Sequence, residues 1–266
     1  MIQLDTPAKI NLTLDILKKT PSGYHEIRSI MMPISLFDRV TIRLIAKPKH
    51  PLGTKNRGIS LKTSGIASPK GEKNIVHQAA TLFFKTIKKD PQITIHLHKN
   101  IPICAGLGGG SSDAAATLTI LNQLYDKPLS KKQLTILATQ IGMEVPFFLE
   151  PQLALVTHFG EKITPIKRPT LQQERPLGTK EHPVIMLSFQ KTKKRSTKNQ
   201  YETLNLALCG KQKSKTAKLL KFLKTSRKSW DPSWNPLLHN DFEQLYENNN
   251  SVKHLSGSGP AKFSIT

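Results

Sequence analysis

The residues best suited to chemistry form one uninterrupted run, Pro102-Ile103-Cys104-Ala105-Gly106-Leu107-Gly108-Gly109-Gly110-Ser111-Ser112. Residues without side chains let backbone N–H groups approach an anion, and a helix that starts at such a loop adds the positive end of its dipole. Ser111 and Ser112 stand where a hydroxyl can cap that helix, touch a phosphate oxygen or reach its magnesium ion. Neither common phosphate motif fits. A Walker loop needs Lys after its last Gly, and Ser111 follows Gly110; in G-x-G-x-x-G the third Gly would fall on Ser111. The plain alternative is a glycine turn with a serine cap, although three consecutive Gly followed by two Ser exceed what a cap requires.

Other candidates are scattered along the chain. Lys9 and Asn11 share the polar side of an alternating run, with Thr13 and Asp15, and read either as site residues or as a solvated strand face. Glu144 lies between Gly142 and Pro146 beside an apolar piece, Val145 to Leu149, that has the length of a strand; it is a candidate for chemistry whose plainer reading is an ordinary surface acid. Tyr24 and His25 follow a Ser-Gly turn, an aromatic and a hydrogen-bonding ring suited to a base or to anchoring a loop. His96 and His98 are two potential metal ligands without a third, so no metal site is assigned. Leu255-Ser-Gly-Ser-Gly-Pro260 is a second glycine loop, or a β-turn.

The elements that must position these residues follow from periodicity. Ile10, Leu12, Leu14 and Ile16 alternate as in a strand, a second apolar run extends from Ile27 to Val40, and Ile93, Ile95 and Leu97 predict a strand leading into the glycine loop. Ala114, Leu118, Leu121 and Tyr125 predict the helix after it. A helix is expected from Asn74 to Lys88, and another from the cap Ser130 to the stop Gly142. Residues 46–73 read as loops and short edge strands, and 151–185 as short strands broken by Pro165, Pro169, Pro176 and Pro183. Strands and helices together give an α+β class, with a boundary near 152.

Composition sets outer bounds. The 266 residues suffice for two modest domains, no apolar run approaches a membrane span, and the N-terminus lacks a signal-peptide layout. Two cysteines, Cys104 and Cys209, give neither a disulfide framework nor a metal cluster, so a cytoplasmic protein is expected. The net charge is +22, and the segment from Lys191 to Lys228 alone carries thirteen Lys or Arg against one acid, Glu202. Leu219, Leu220 and Leu223 space a helix there whose other faces are lysine-rich. Such a surface suits nucleic acid or an anionic membrane, yet no reader motif and few aromatics accompany it, so a solvated face or a field for an anionic substrate is the plainer reading.

Taken together, these motifs resemble the GHMP kinases, the superfamily of galactokinase, homoserine kinase, mevalonate kinase and phosphomevalonate kinase. The loop from Pro102 to Ala116, the first strand Pro7-Ala-Lys-Ile-Asn-Leu12, and Ser256-Gly-Ser-Gly259 with Phe263 are similar to its three motifs. Pro21-Ser-Gly-Tyr-His-Glu26 and Val145-Pro-Phe-Phe148 are similar to the branch acting on a cytidine-diphosphate derivative of methylerythritol in non-mevalonate isoprenoid synthesis. Asn74-Ile-Val, Gly160-Glu-Lys, Ser196-Thr-x-x-x-Tyr201 and Asn240-Asp-Phe-Glu243 also match.

The resemblance implies a ribosomal-S5-like N-domain over 1–152, a ferredoxin-like C-domain over 153–266, and transfer of phosphate from ATP, with Mg²⁺, to the 2-hydroxyl of the substrate. It assigns the glycine loop and Asn74 to ATP. Lys9 assists at the reacting hydroxyl and Glu144 takes its proton. Asn11, Tyr24, His25, Thr197 and Tyr201 bind the substrate, Tyr24 and Tyr201 stacking on cytosine and His25 bonding its edge. Gly257, Ser258 and Gly259 form the late loop. The family carries Asp where this chain has Glu144, and continues past its third motif with a helix and strand, so the C-domain is expected to lack those elements. Monomer or homodimer, without membrane or nucleic acid, is the implied state. Another GHMP kinase, or a basic nucleic-acid-binding protein on an S5-like domain, are the alternatives.

Overall fold

The first strand, β1 (Ile2–Lys19), shows why alternation did not leave a wet face. Ile10, Leu12, Leu14 and Ile16 are buried as expected, but Lys9, Asn11, Thr13 and Asp15 on the opposite side are at most 1% exposed. A strand covered on both faces must satisfy each of its polar groups with protein partners, so the solvated-face reading of Lys9 and Asn11 does not hold. This computed structural model describes residues 1–45, 58–168, 184–189, 197–226, 230–246 and 254–265. Pro169, Pro176, Pro183, Lys191 to Ser196, and the loop expected over 46–57 lie outside the described residues.

The chain divides into two compact units interleaved in sequence. The first comprises Met1–Ala8, Leu36–Ile103 and Gly109–Glu150. Its sheet has the order β3-β4-β2-β1, with β2 (His25–Leu44), β3 (Gly58–Gly65) and β4 (Gln92–Lys99). β4 runs antiparallel to β2, Leu44 opposite Ile93, and parallel to β3, Ile59 opposite Ile93. Three helices pack on one another: α1 (Ile75–Ile87), α2 (Gly109–Leu124) and α3 (Lys131–Ile141). α1 buries Val76, Ala79, Ala80, Phe83 and Phe84, the one-sided spacing of an amphipathic helix. Its start is capped by Asn74 and its end by Lys88 in the left-handed region. A capping box between Ser130 and Gln133 opens α3, and Gly142 closes it.

One expectation fails here. Val145–Leu149 is not strand-like but a single 3-10 turn with Pro146 near its start. Val145, Pro146, Phe147 and Phe148 are all buried, so nothing alternates, and Pro supplies a preset φ for a helical first turn.

The second unit comprises Lys9–Ser35, Cys104–Gly108 and Pro151–Thr266. Its larger sheet has the order β8-β1-β2-β5-β6, with β5 (Ala154–His158), β6 (Lys162–Pro165) and β8 (His239–Asn240). β8 is parallel to β1, Thr13 opposite His239. A separate antiparallel sheet joins β7 (Ile185–Phe189), β10 (Ala261–Ile265) and β9 (His254–Leu255). Among the described residues its α-helices are α4 (Thr197–Thr203) and α5 (Lys213–Thr225), the latter burying Leu219 and Leu223 beneath its lysines. Leu14, Ile16, Ile27, Leu204, Phe242 and Leu255 form a core cluster of this unit. Strands and helices in both units meet the expected α+β class.

Candidate active site

The two glycine loops, about 150 residues apart in sequence, lie back to back in the second unit. Ser256 Oγ donates to Gly106 O at 3.0 Å, and Ala261 N to Ala105 O at 3.1 Å. The approach is too close for any side chain. A Cβ on Gly106 would sit 1.9 Å from Ser256 O, and one on Gly259 would sit 2.0 Å from the Ala105 carbonyl carbon. Gly106 also has φ +81°, and Gly257 φ +55°. The glycines are therefore required by the packing of two backbones as well as by freedom to turn.

Lys9 stands at this junction. Its N–H donates to Leu107 O at 2.9 Å, which pins β1 to the first loop. Its Nζ donates to Asn11 Oδ1 at 2.7 Å, and Nζ is 3.0 Å from where a Cβ on Gly257 would lie. Asn11 Oδ1 also accepts Gly257 N at 2.9 Å, while Asn11 Nδ2 donates to Ser29 Oγ at 2.7 Å. Ser29 Oγ spends its own proton on Thr13 O at 2.6 Å, so it can only accept from Asn11. That fixes the amide with its oxygen toward the ammonium. Asn11, expected at the substrate, holds Lys9 and the second loop.

In the first unit, α2 begins at Gly109, so Gly109 and Gly110 belong to its first turn. Ser112 is fully buried; its Oγ donates to Pro7 O at 2.7 Å and is hydrogen-bonded to Thr6 Oγ1. A hydroxyl tied in this way joins the helix to the strand. Ser111 is half-buried and Gly110 exposed. Asn74 is likewise spent on structure: Oδ1 accepts Val76 N, and Nδ2 donates to Pro69 O at 2.7 Å. Glu144 is half-buried at the head of the 145–149 turn, and its carboxylate does not cap that turn. Lys9 and Glu144 belong to different units.

The expected substrate residues of the second unit are partly assembled. The His25 ring stacks on Tyr201 with centroids 4.8 Å apart and 22° between planes, and Tyr201 meets Phe242 edge-on. Burial and the nearby Lys19 charge hold the His25 imidazole below its ordinary pKa, favouring the neutral ring that can both donate and accept. Tyr24 is half exposed and leans on Phe159, centroids 5.2 Å apart, away from that stack. Thr197 opens α4, and its side chain lies outside the described residues. Ser258 O accepts from the Tyr246 hydroxyl. His96 and His98 both bond to Ser64 Oγ, and no group of three His, Cys, Asp or Glu able to hold a metal occurs among the described residues.

Two buried polar clusters escaped sequence reasoning. In the first unit Lys99 Nζ pairs with Asp38 and, at 2.8 Å, with Asp113. In the second unit Asp15 accepts His239 Nε2 at 3.0 Å and Thr216 Oγ1 at 2.7 Å, with Arg28 Nε 3.5 Å away. Burial works to raise the Asp15 pKa, but these hydrogen bonds and charges hold it below the usual carboxylate range. Their partners come from elements too far apart in sequence for spacing to show.

Comparison with known proteins places this arrangement. Residues 74–150 match the family model of the GHMP kinases N terminal domain. Over 97% of the chain and 88% of its own length, a 4-diphosphocytidyl-2-C-methyl-D-erythritol kinase of Clostridium botulinum is 32% identical. One from Shouchella clausii is 35% identical over 98% of the chain and 84% of its length. One from Lachnoclostridium phytofermentans is 43% identical, but the match covers 62% of the chain and 54% of that relative, about half its length. A crystal structure of 4-(cytidine 5'-diphospho)-2C-methyl-D-erythritol kinase superposes with TM-score 0.73 and 26% identity, covering 99% of this chain and 90% of that one. A mevalonate kinase structure superposes with TM-score 0.64 at 14% identity, which supports the fold alone. The fold is that of the GHMP kinases. The chain belongs to the 4-diphosphocytidyl-2-C-methyl-D-erythritol kinase family, kinases of isoprenoid biosynthesis. Among the described residues no helix is long and apolar enough to cross a membrane.

Proposed function

We propose that this chain transfers the γ-phosphoryl group of ATP to the 2-hydroxyl of 4-diphosphocytidyl-2-C-methyl-D-erythritol. The observation that carries the reading is the Lys9 ammonium, buried and held by Asn11 against two glycine loops that no side chain can enter. Phosphoryl transfer asks for positioning and for cations where charge develops, and this junction supplies both.

In this reading the backbone of residues 102–110 takes the nucleotide phosphates, since glycines carry no side chain to keep an anion from the N–H groups. Ser111 lies half-buried in the first turn of α2, where a phosphate oxygen profits from the helix dipole. Mg²⁺ would arrive with the nucleotide and screen its phosphate charge, held chiefly by phosphate oxygens. Lys9 orients the accepting hydroxyl and neutralises charge at the transferring group, and the Glu144 carboxylate takes the hydroxyl proton. Tyr24, His25 and Tyr201 recognise cytosine, His25 through the donor and acceptor of a neutral ring. The two-domain division at 152 and 153 belongs to the same reading, as does a reducing, cytoplasmic setting, which fits two free cysteines.

The test is ADP release from the purified protein with ATP and the cytidine-diphosphate substrate, beside homoserine and mevalonate. Turnover with the first alone is expected. Turnover with either of the others alone overturns the substrate assignment, and tight salt-dependent RNA binding without any turnover overturns the enzyme reading.

A further inference from the structure

Lys99, the last residue of β4, is 3% exposed, and both its partners are as deeply buried: Asp38 at 0% and Asp113 at 1%. Asp38 comes from β2 and Asp113 from the first turns of α2. The three groups meet directly under the start of the helix that the glycine loop opens. Asp38 Oδ2 takes the ammonium, while its Oδ1 accepts Asn100 N at 2.6 Å and Ile101 N at 2.9 Å. Those two amides are the entry to the glycine loop. The same ammonium reaches Asp113 Oδ2 on the helix side. A Cβ on Gly109 would come 2.8 Å from Ile101 Cγ2 and 3.1 Å from Lys99 Nζ, so the helix start rests on this cluster.

We propose that Lys99, Asp38 and Asp113 are positioning residues for the nucleotide loop, tying its entry strand to the first turn of α2 so that the backbone amides keep the geometry that grips a triphosphate. This rests on the kinase reading above. None of the three touches the nucleotide in this assignment; they act through Asn100, Ile101 and Gly109.

Charge balance sharpens the inference. One ammonium faces two carboxylates, and among the described residues no other charged side chain is paired with them. Asp38 has three donors, whereas Asp113 has one, and its Oδ1 has no partner among the described residues. The unequal partners leave Asp113 the less satisfied of the two. Burial, with Lys99 opposing and Asp38 reinforcing, pushes Asp113 up to about 8. At neutral pH Asp113 is therefore mostly protonated. Above pH 8 it carries one negative charge at a helix N-terminus meant for an anion, which disfavours the triphosphate.

The experiment measures KM for ATP and kcat from pH 6.5 to 9 in the whole protein for Lys99→Met and Asp113→Asn, with amide hydrogen exchange at Asn100 and Ile101 in the absence of nucleotide. Lys99→Met is expected to raise KM about tenfold with kcat nearly unchanged and to speed exchange at both amides. Asn keeps an oxygen for Lys99 but cannot ionise, so the KM of Asp113→Asn should lack the rise that the parent shows above pH 8. An Asp113→Asn profile that rises like the parent overturns the proposal, as does a folded Lys99→Met with unchanged KM and exchange. Should Lys99→Met fail to fold, the Asp113→Asn profile decides alone. Faster exchange in a protein whose parent turns over no ATP overturns the kinase reading and leaves the tether standing.

Discussion

Asn11 Oδ1 lies 2.7 Å from Lys9 Nζ and 2.9 Å from Gly257 N, so one amide oxygen sets both the buried ammonium and the second glycine loop. Lys9→Met should abolish turnover while leaving the fold. Asn11→Ala should keep Lys9 but free its head group, and a misplacement of about 1 Å costs about 10²-fold in rate. Asn11→Asp should retain more activity than Asn11→Ala, because a carboxylate oxygen still accepts from both donors. Steady-state kcat for the three variants, with circular dichroism as the fold control, checks this. Equal activity in Asn11→Ala and parent would show that Lys9 needs no holder.

Glu144 is the residue where this chain departs from the Asp that the resemblance implies. Both side chains ionise in the same range, so the difference is one of reach. If Glu144 takes the proton, Glu144→Gln should lower kcat by about 10²–10⁴-fold, the usual worth of a general base. Glu144→Asp should stay within about tenfold of the parent, since the loop from Gly142 can adjust more readily than the chemistry can do without a base. Parent-like turnover in Glu144→Gln removes Glu144 from the mechanism.

Gly106 tests the packing of the two loops. Its φ of +81° costs an alanine about 1–3 kcal/mol. A methyl group 1.9 Å from Ser256 O must in addition push two backbones apart. Gly106→Ala should therefore lower the urea midpoint and weaken ATP binding together. Gly110→Ala meets only Ile75 Cγ2 at 3.6 Å and should leave stability nearly unchanged. If both variants unfold at the same midpoint as the parent, the loops are not in register as described.

Asp15 and His239 form a buried pair, 0% and 2% exposed, inside the second unit. Removing one partner strands the other, at a cost of about 3–5 kcal/mol, so His239→Leu should be strongly destabilising. Because the folded pKa of Asp15 is depressed, its contribution is present above the unfolded carboxylate value, near pH 4, and is lost as pH falls through the folded value. Unfolding free energy against pH should accordingly drop on the acid side in the parent, and Asp15→Asn should flatten that drop. An unchanged acid limb in Asp15→Asn would refute the pairing.

Much of the fold was legible because its signals are local. Asn74 and Lys88 bracket α1, and Ser130 and Gly142 bracket α3, each through bonds to neighbours a few residues away. Val145–Leu149 was misread because a continuous apolar run has no period to separate a turn from a strand. The glycine loops could be found by type and spacing, but their mutual packing could not, since Gly106 and Gly259 meet across the chain. Burial was the other hidden quantity. Thr13 and Asp15 share the alternation of a solvated face, and only a second cover on β1 makes them interior. The bonds of the Ser112 hydroxyl to Thr6 and Pro7 likewise join residues more than a hundred positions apart, which spacing cannot show.

The parallel pairing of β1 with β8 has a consequence for how the chain reaches its native state. Thr13 sits opposite His239, so the strand that carries Lys9 meets β2 early but acquires β8, its neighbour on the other side, only after more than two hundred further residues have been made. Gly257, which completes the anchorage of Asn11, comes later still. Contacts of such long range are slow to close, because loop entropy is lost before they reward it. During synthesis the residues from Lys9 to Lys19, nine of the eleven apolar or buried polar, wait for that second neighbour. The lysine assigned to the reaction is made long before the loop that completes its setting.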